Sequence, residues 1–157
     1  MEWPEICEDQ HLRDLPYKIE QDKWGNIVMS PASNKHGRYQ ARLIRLIGKI
    51  REDGDIISEC SVQTRKGTKV ADVAWASDEF IKKHGYETPY SQCPELVVEI
   101  KSPSNTRKEL EEKSDSYFAK GASEVWICDE SGNIRFYKNG TETDCSELIS
   151  KFAKKID

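Results

Sequence analysis

Two short apolar runs constrain this chain more than anything else in it, because each carries acid where a buried strand would normally carry none. Lys69-Val70-Ala71-Asp72-Val73-Ala74-Trp75 holds one isolated aspartate, and Glu95-Leu96-Val97-Val98-Glu99-Ile100-Lys101 ends in a Glu-x-Lys pair. Runs of Val, Ile and Leu without polar alternation read as strands covered on both faces. Ionisable groups in such strands are costly unless something compensates them, so they point to function. Side chains two apart on a strand share a face, so Glu99 and Lys101 are expected to point together, away from Val98 and Ile100. An Asp, a Glu and a Lys converging at strand ends are the minimum set for hydrolysing a phosphodiester. Two carboxylates hold a divalent metal through oxygen, and the lysine steadies a water or the developing negative charge.

The rest of the chain supplies elements around these two strands. Tyr17-Lys18-Ile19-Glu20 and Asn26-Ile27-Val28-Met29 flank a turn-rich Asp22-Lys23-Trp24-Gly25 and read as an N-terminal hairpin. Ser33 or Asn34 caps a helix from about Lys35 to Arg51, with Tyr39, Leu43, Leu46, Ile47 and Ile50 on one face. Strand regions begin at Ile56-Ile57-Ser58 and Ser61-Val62-Gln63-Thr64, the second leading through a hairpin turn at Arg65-Lys66-Gly67-Thr68 into the Asp72 strand. Ser77 caps a short helix through Lys83, and a loop with Pro89 and Pro94 leads to the Glu99 strand. Thr106-Arg107-Lys108-Glu109 is a capping box, and the helix it opens, with Leu110, Tyr117 and Phe118 on one face, should stop at Gly121. Glu124 to Asp129 and Ile134 to Tyr137 are further strands, and the tail from Ser146 to Ile156 has weak helical character. A strand, a capped helix and a strand in succession imply a parallel pair with a right-handed crossover. The expected class is α/β: a central mixed sheet flanked by helices, with an N-terminal β-hairpin, in one domain spanning residues 1–157.

Composition narrows the setting. With 36% hydrophobic and 33% charged residues, the chain is polar, yet its apolar residues cluster periodically, as in a packed core. No run approaches the roughly 18 apolar residues of a membrane span, and the start, Met1-Glu2-Trp3-Pro4-Glu5, lacks the basic and apolar regions of a signal peptide. A cytoplasmic protein without membrane contact is expected. The five cysteines are scattered and form no C-x-x-C pair, which argues against a zinc site or a disulfide framework. A net charge of −4 and a pI near 5.5 leave no nucleic-acid footprint over the chain as a whole. Locally, Arg38, Arg42, Arg45 and Lys49 form a stripe opposite the apolar face of the first long helix. It is either a solvated face or a ridge that contacts phosphates.

Taken together, Ala71-Asp72-Val73-Ala74-Trp75, then Pro94 to Ser104, then Glu112-Lys113, Tyr117, Gly121-Ala122 and Glu124 to Asp129 are similar to the Uma-two family. These are small bacterial proteins described as restriction-endonuclease-like, within the PD-(D/E)xK nuclease superfamily. Gly25 to Pro31 followed by His36-Gly37 also matches that family's hairpin and first helix, so the resemblance runs from roughly Leu15 to Tyr137. It implies that Asp72 and Glu99 bind Mg²⁺ or Mn²⁺, with the backbone carbonyl of Ile100 as a further ligand, and that Lys101 orients the attacking water or stabilises the transition state. It also implies a DNA substrate and a homodimer or higher homo-oligomer. The chain departs from the superfamily pattern at Ala71, where the name has proline. It also has no glutamate near His36, where some related nucleases carry one, so the resemblance does not extend to a second metal site.

Each of these residues also has a plainer reading. Asp72, Glu99 and Lys101 could be an ion-paired cluster closing the end of a sheet. His36 and Gln40, one turn apart at the edge of the helix face, could face the acidic centre or be hydrogen-bonded structural residues. Lys113 could reach the site or lie on the surface. His11 and His84 fall in expected loops and carry no role. Three functions therefore stand side by side: a metal-dependent endonuclease, a catalytically silent nuclease-fold protein that binds nucleic acid or a partner, and a scaffold that assembles through its hairpin edge.

Overall fold

The computed structural model describes all residues, Met1–Asp157. Its elements are α1 (Trp3–Glu8), β1 (Tyr17–Gln21), β2 (Ile27–Pro31), α2 (Asn34–Ile50), β3 (Asp55–Thr64), β4 (Gly67–Ala76), α3 (Asp78–His84), β5 (Leu96–Ile100), α4 (Arg107–Ala119), β6 (Glu124–Cys128), β7 (Ile134–Lys138) and β8 (Thr141–Thr143). Strands β3 to β8 form one six-stranded sheet in sequence order, and β1 and β2 form a separate two-stranded sheet. Only β5 and β6 run parallel, because α4 carries the chain back between them; the other pairs are antiparallel, joined by short turns except β4 and β5, which α3 and a loop connect. The fold is α/β, with a mixed sheet between helices and a hairpin beside it, as the order of elements implies.

The helix caps are those the sequence presents. Ser33 accepts from the His36 amide to start α2, Ser77 from Phe80 to start α3, and Thr106 and Glu109 exchange both bonds of a capping box at α4. Each satisfies amides that the first turn leaves without partners.

The sheet has an apolar layer on each face. On one side Tyr39, Leu43 and Ile47 of α2 pack on Val73, Trp75, Leu96, Val98, Trp126 and Phe136. On the other, Tyr117 of α4 packs with Phe80, Tyr90, Ala74, Val97 and Val125. All five residues of β5 are buried, which explains its unbroken apolar reading. A smaller cluster of Trp3, Ile6 and Val70, with Ile19 and Ile27 against it, fastens α1 and the hairpin to β4.

Several expectations need correction. Ile50 is 43% exposed, so the buried face of α2 ends at Ile47, with Leu46 half-buried beside it. The tail from Ser146 to Ile156 is a series of turns, not a helix. Ile149, Phe152 and Ile156 have helix-like spacing and do reach the core, but Lys151 sits at φ 63°, a left-handed conformation that a helix of L-residues does not sustain. His84 is the last residue of α3, not a loop residue.

Candidate active site

The acidic centre is produced by a local opening of the sheet. Strands β4 and β5 pair at Trp75–Leu96, Ala74–Val97 and Val73–Val98, and stop there. The next positions in that register are Asp72 and Glu99, so the two side chains project to the same face where the strands part. On the other flank of β4 the β3 ladder skips Glu59 opposite Asp72, and Glu59 has φ 52°. The chain thereby frees both sides of Asp72. The Ile100 amide donates to Asp72 Oδ2 (2.7 Å), and the Asp72 carbonyl accepts from Gln40 Nε2 (2.8 Å), which also donates to Glu59 Oε1 (2.7 Å). Asp72 is 0% and Glu99 2% exposed.

Four further side chains close around the pair. Lys18 of β1 places its ammonium 3.0 Å from Asp72 Oδ1 and 3.3 Å from Glu99 Oε2. His36 Nε2, from the first turn of α2, lies 3.2 Å from Asp72 Oδ1. The Tyr117 hydroxyl of α4 donates to Glu99 Oε1 at 2.7 Å. One turn earlier, Lys113 Nζ lies 3.2 Å from the same oxygen and 2.8 Å from Glu20 Oε2. Glu20 also accepts from the Val70 amide (2.8 Å), which ties the hairpin to β4.

The electrostatics follow from this packing. Burial pushes Asp72 toward the neutral form, but Lys18, His36 and the Ile100 amide together outweigh it and hold the carboxyl well below its usual range. For Glu99 the balance falls the other way. Complete burial, with Asp72 and Glu20 adding to it, raises its pKa despite Lys113 and Lys18. The bond to Asp72 raises His36 above an ordinary histidine. Burial and the neighbouring Glu99 hold the Tyr117 hydroxyl protonated, well above its usual range, as a donor must be. Lys18 stays charged because Glu99, Asp72 and Glu20 outweigh the cost of its burial.

The residues named from sequence divide clearly. Asp72, Glu99, His36, Gln40 and Lys113 come together. Lys101 does not join them: it follows the last residue of β5, its ammonium pairs with Glu130 Oε1 at 2.9 Å, and it makes no ion pair with either carboxylate. It lines a separate cavity of about 420 Å³ between α4 and the β6–β7 hairpin. That cavity is bordered by Leu110, Ser114 and Phe118 of α4, the helix that also brings Tyr117 and Lys113 to Glu99, so Lys101 lies on the Glu99 side of the sheet but further along it. Of the basic stripe, Arg38, Arg45 and Lys49 are exposed, whereas Arg42 is engaged with Asp157 (3.1 Å) and the Ile156 carbonyl (3.0 Å). Sequence reading missed Lys18, Glu20 and Tyr117. The one available signal was a Lys-x-Glu alternation in the hairpin, and it is common in exposed strands.

No cluster of three or more His, Cys, Asp and Glu side chains with metal-binding geometry forms. The donor set nevertheless fits a hard divalent cation. One oxygen of each carboxylate already converges on a single positive atom, the Lys18 ammonium, and Mg²⁺ characteristically takes one or two carboxylates and keeps several waters.

Fold and site define a nuclease-like α/β protein. A family model described as "Putative restriction endonuclease", Uma2, matches residues 11–148, and the chain belongs to that family. Five chains among solved structures resemble it. One is the crystal structure of "a putative nuclease belonging to DUF820" from Anabaena variabilis, with a TM-score of 0.72 over 88% of this chain and 87% of that one, at 15% identity. At that identity the likeness establishes the fold. No curated protein matches the sequence.

Proposed function

We propose that this protein is a Mg²⁺- or Mn²⁺-dependent endonuclease that hydrolyses phosphodiester bonds in DNA, with Asp72 and Glu99 as its metal-binding carboxylates. The observation that carries this reading is the convergence of two nearly inaccessible carboxylates, on adjacent strands, upon one cation. The backbone carbonyl of Ile100, next along β5, is the further ligand in this reading. A bound divalent ion would supply Lewis-acid stabilisation of charge on the phosphate and a nucleophilic water at neutral pH.

The chain's own residues have distinct tasks. The Ile100 amide fixes one oxygen of Asp72 and leaves the other directed inward. Tyr117 fixes Glu99 in the same way. Lys113, held between Glu20 and Glu99, takes the role that the motif lysine would have, donating to the non-bridging oxygens as their charge grows. Lys101, paired with Glu130 outside this centre, has no part in that step. His36, hydrogen-bonded to Asp72 and partly open to solvent, can move a proton at the edge of the site. Gln40 holds the opened strand in place.

Exposed Arg38, Arg45 and Lys49 are offered as phosphate contacts beyond the reacting bond. Two copies working together would present two sites to a duplex, and the five free thiols suit a reducing cytoplasm. A catalytically silent binding protein is the second reading. It is favoured by the acidic net charge and by the pairing of Lys101 with Glu130. Nicking of supercoiled plasmid with and without Mn²⁺, by wild type and Asp72→Asn, separates the two. Metal-dependent nicking that Asp72→Asn loses supports the enzyme, and no nicking by a folded, metal-loaded wild type leaves the binding reading.

A further inference from the structure

Lys18 comes from outside the sheet that carries the acidic residues, yet it occupies the centre of the site. It enters from β1, and its ammonium contacts one oxygen of each carboxylate. Glu99 Oε2 has no other donor, and Asp72 Oδ1 is otherwise contacted by His36 Nε2 at 3.2 Å. Asp72 Oδ2 is committed to the Ile100 amide, and Glu99 Oε1 to Tyr117 and Lys113. A metal that bridges the pair needs Asp72 Oδ1 and Glu99 Oε2, and so needs the place that Lys18 holds.

We infer that Lys18 is a resident counter-ion that a divalent cation must displace, and that it thereby sets the metal affinity of the site. The inference rests on the metal-dependent reading above. The charge balance favours such an exchange. The carboxyl groups of Asp72, Glu99 and Glu20 gather around Lys18, Lys113 and His36, and a divalent ion at the Lys18 position puts two positive charges where the ammonium puts one. The displaced lysine has somewhere to go. Beside it lies a cavity of about 30 Å³, bordered by Ser30, Ser102 and Asn105. That is room for about one water, with hydroxyl and amide oxygens nearby to accept from an ammonium. Glu20, two residues further along β1, keeps the hairpin fastened through Val70 and Lys113 while Lys18 swings.

The test is calorimetric titration of Mn²⁺ into the full-length wild type and its Lys18→Met, Lys18→Arg and Asp72→Asn variants. Lys18→Met should bind Mn²⁺ roughly ten- to a hundredfold more tightly, the worth of a charge-assisted contact that no longer has to be broken. Its metal-free melting temperature should fall below that of wild type, since two buried carboxylates lose their shared cation, and Mn²⁺ should restore it. Lys18→Arg, which keeps the charge, should bind no more tightly than wild type, and tighter binding by it would overturn the idea. A second readout needs no variant. Lysine ammonium NMR of the wild type should show a protected, hydrogen-bonded signal for Lys18 that disappears as Mg²⁺ saturates the site, and its persistence would refute displacement. If wild type binds Mn²⁺ through Asp72 and Lys18→Met binds it no better, the role of Lys18 falls and the metal site stands. If neither wild type nor Lys18→Met binds Mn²⁺, both fall.

Discussion

Glu99 depends on Tyr117 more directly than on any other uncharged group. The hydroxyl lies 2.7 Å from a carboxylate oxygen that water does not reach, and both residues are almost wholly inaccessible. Tyr117→Phe removes that donor without changing the ring, and should cost roughly 1–3 kcal/mol in urea unfolding, the usual penalty for leaving a buried acceptor short of its partner. An unaltered unfolding midpoint would show that Lys113 or water takes over the bond. At this scale the sequence discloses some residues and hides others for a physical reason. An acid inside an apolar run is anomalous in one dimension, so Asp72 and Glu99 stand out unaided. A lysine in an alternating hairpin or a tyrosine on an amphipathic helix is ordinary until another element packs against it. Lys18, Glu20 and Tyr117 acquire their meaning only from tertiary contact. Lys101 is the converse case, since its spacing from Glu99 does not disclose that Glu130, beyond β6, takes its ammonium.

Among the elements, α2 secures one face of the sheet and also delivers His36 and Gln40 to the site. Leu43 at its middle is fully buried against the strands. Leu43→Ala should destabilise the fold by about 2–5 kcal/mol, as other buried leucine truncations do. The same loss should loosen the α2 amides in hydrogen exchange, and a change below about 1 kcal/mol would mean that the core closes over the gap. Helices α2 and α4, the N-terminal hairpin, the hairpin that leads into the Asp72 strand and the parallel step were all legible, because caps, turns and periodicity agree there. Helix α1 was not recognised, although Glu2 and Glu5 form a capping box and Pro4 sits in its first turn. Six residues carry too little periodicity to distinguish a helix from a tail.

For the whole molecule, the segment leading to Asp157 is part of the fold, and its attachment through the Asp157 side chain should depend on pH. The Tyr39 hydroxyl (2.8 Å) and Arg42 (3.1 Å) hold the Asp157 carboxyl below its ordinary pKa. The stability this contributes is therefore present above the unfolded-state value and lost as pH falls through the lower folded-state value. The pH dependence of stability of wild type should be steeper than that of Asp157→Asn across that acidic window, measured by urea unfolding at successive pH values. Coincident slopes would remove Asp157 from the account. Elsewhere on the molecule, Tyr17, Trp24 and Met29 leave an apolar surface on the hairpin. A homodimer would cover such a face, and light scattering should give twice the monomer mass at micromolar concentration, reverting to monomer in Met29→Glu.

The central claim is that chemistry at this site runs through the Asp72–Glu99 pair with Lys113 of α4 as its working lysine. Side-by-side plasmid cleavage by Lys113→Ala and Lys101→Ala, each confirmed folded and titrated with Mn²⁺, tests it most directly. Loss of a preorganised stabiliser should slow Lys113→Ala by about 10²–10³-fold while metal binding survives, and Lys101→Ala should cleave at nearly the wild-type rate. The reverse outcome, with Lys101→Ala silent and Lys113→Ala active, would contradict the account.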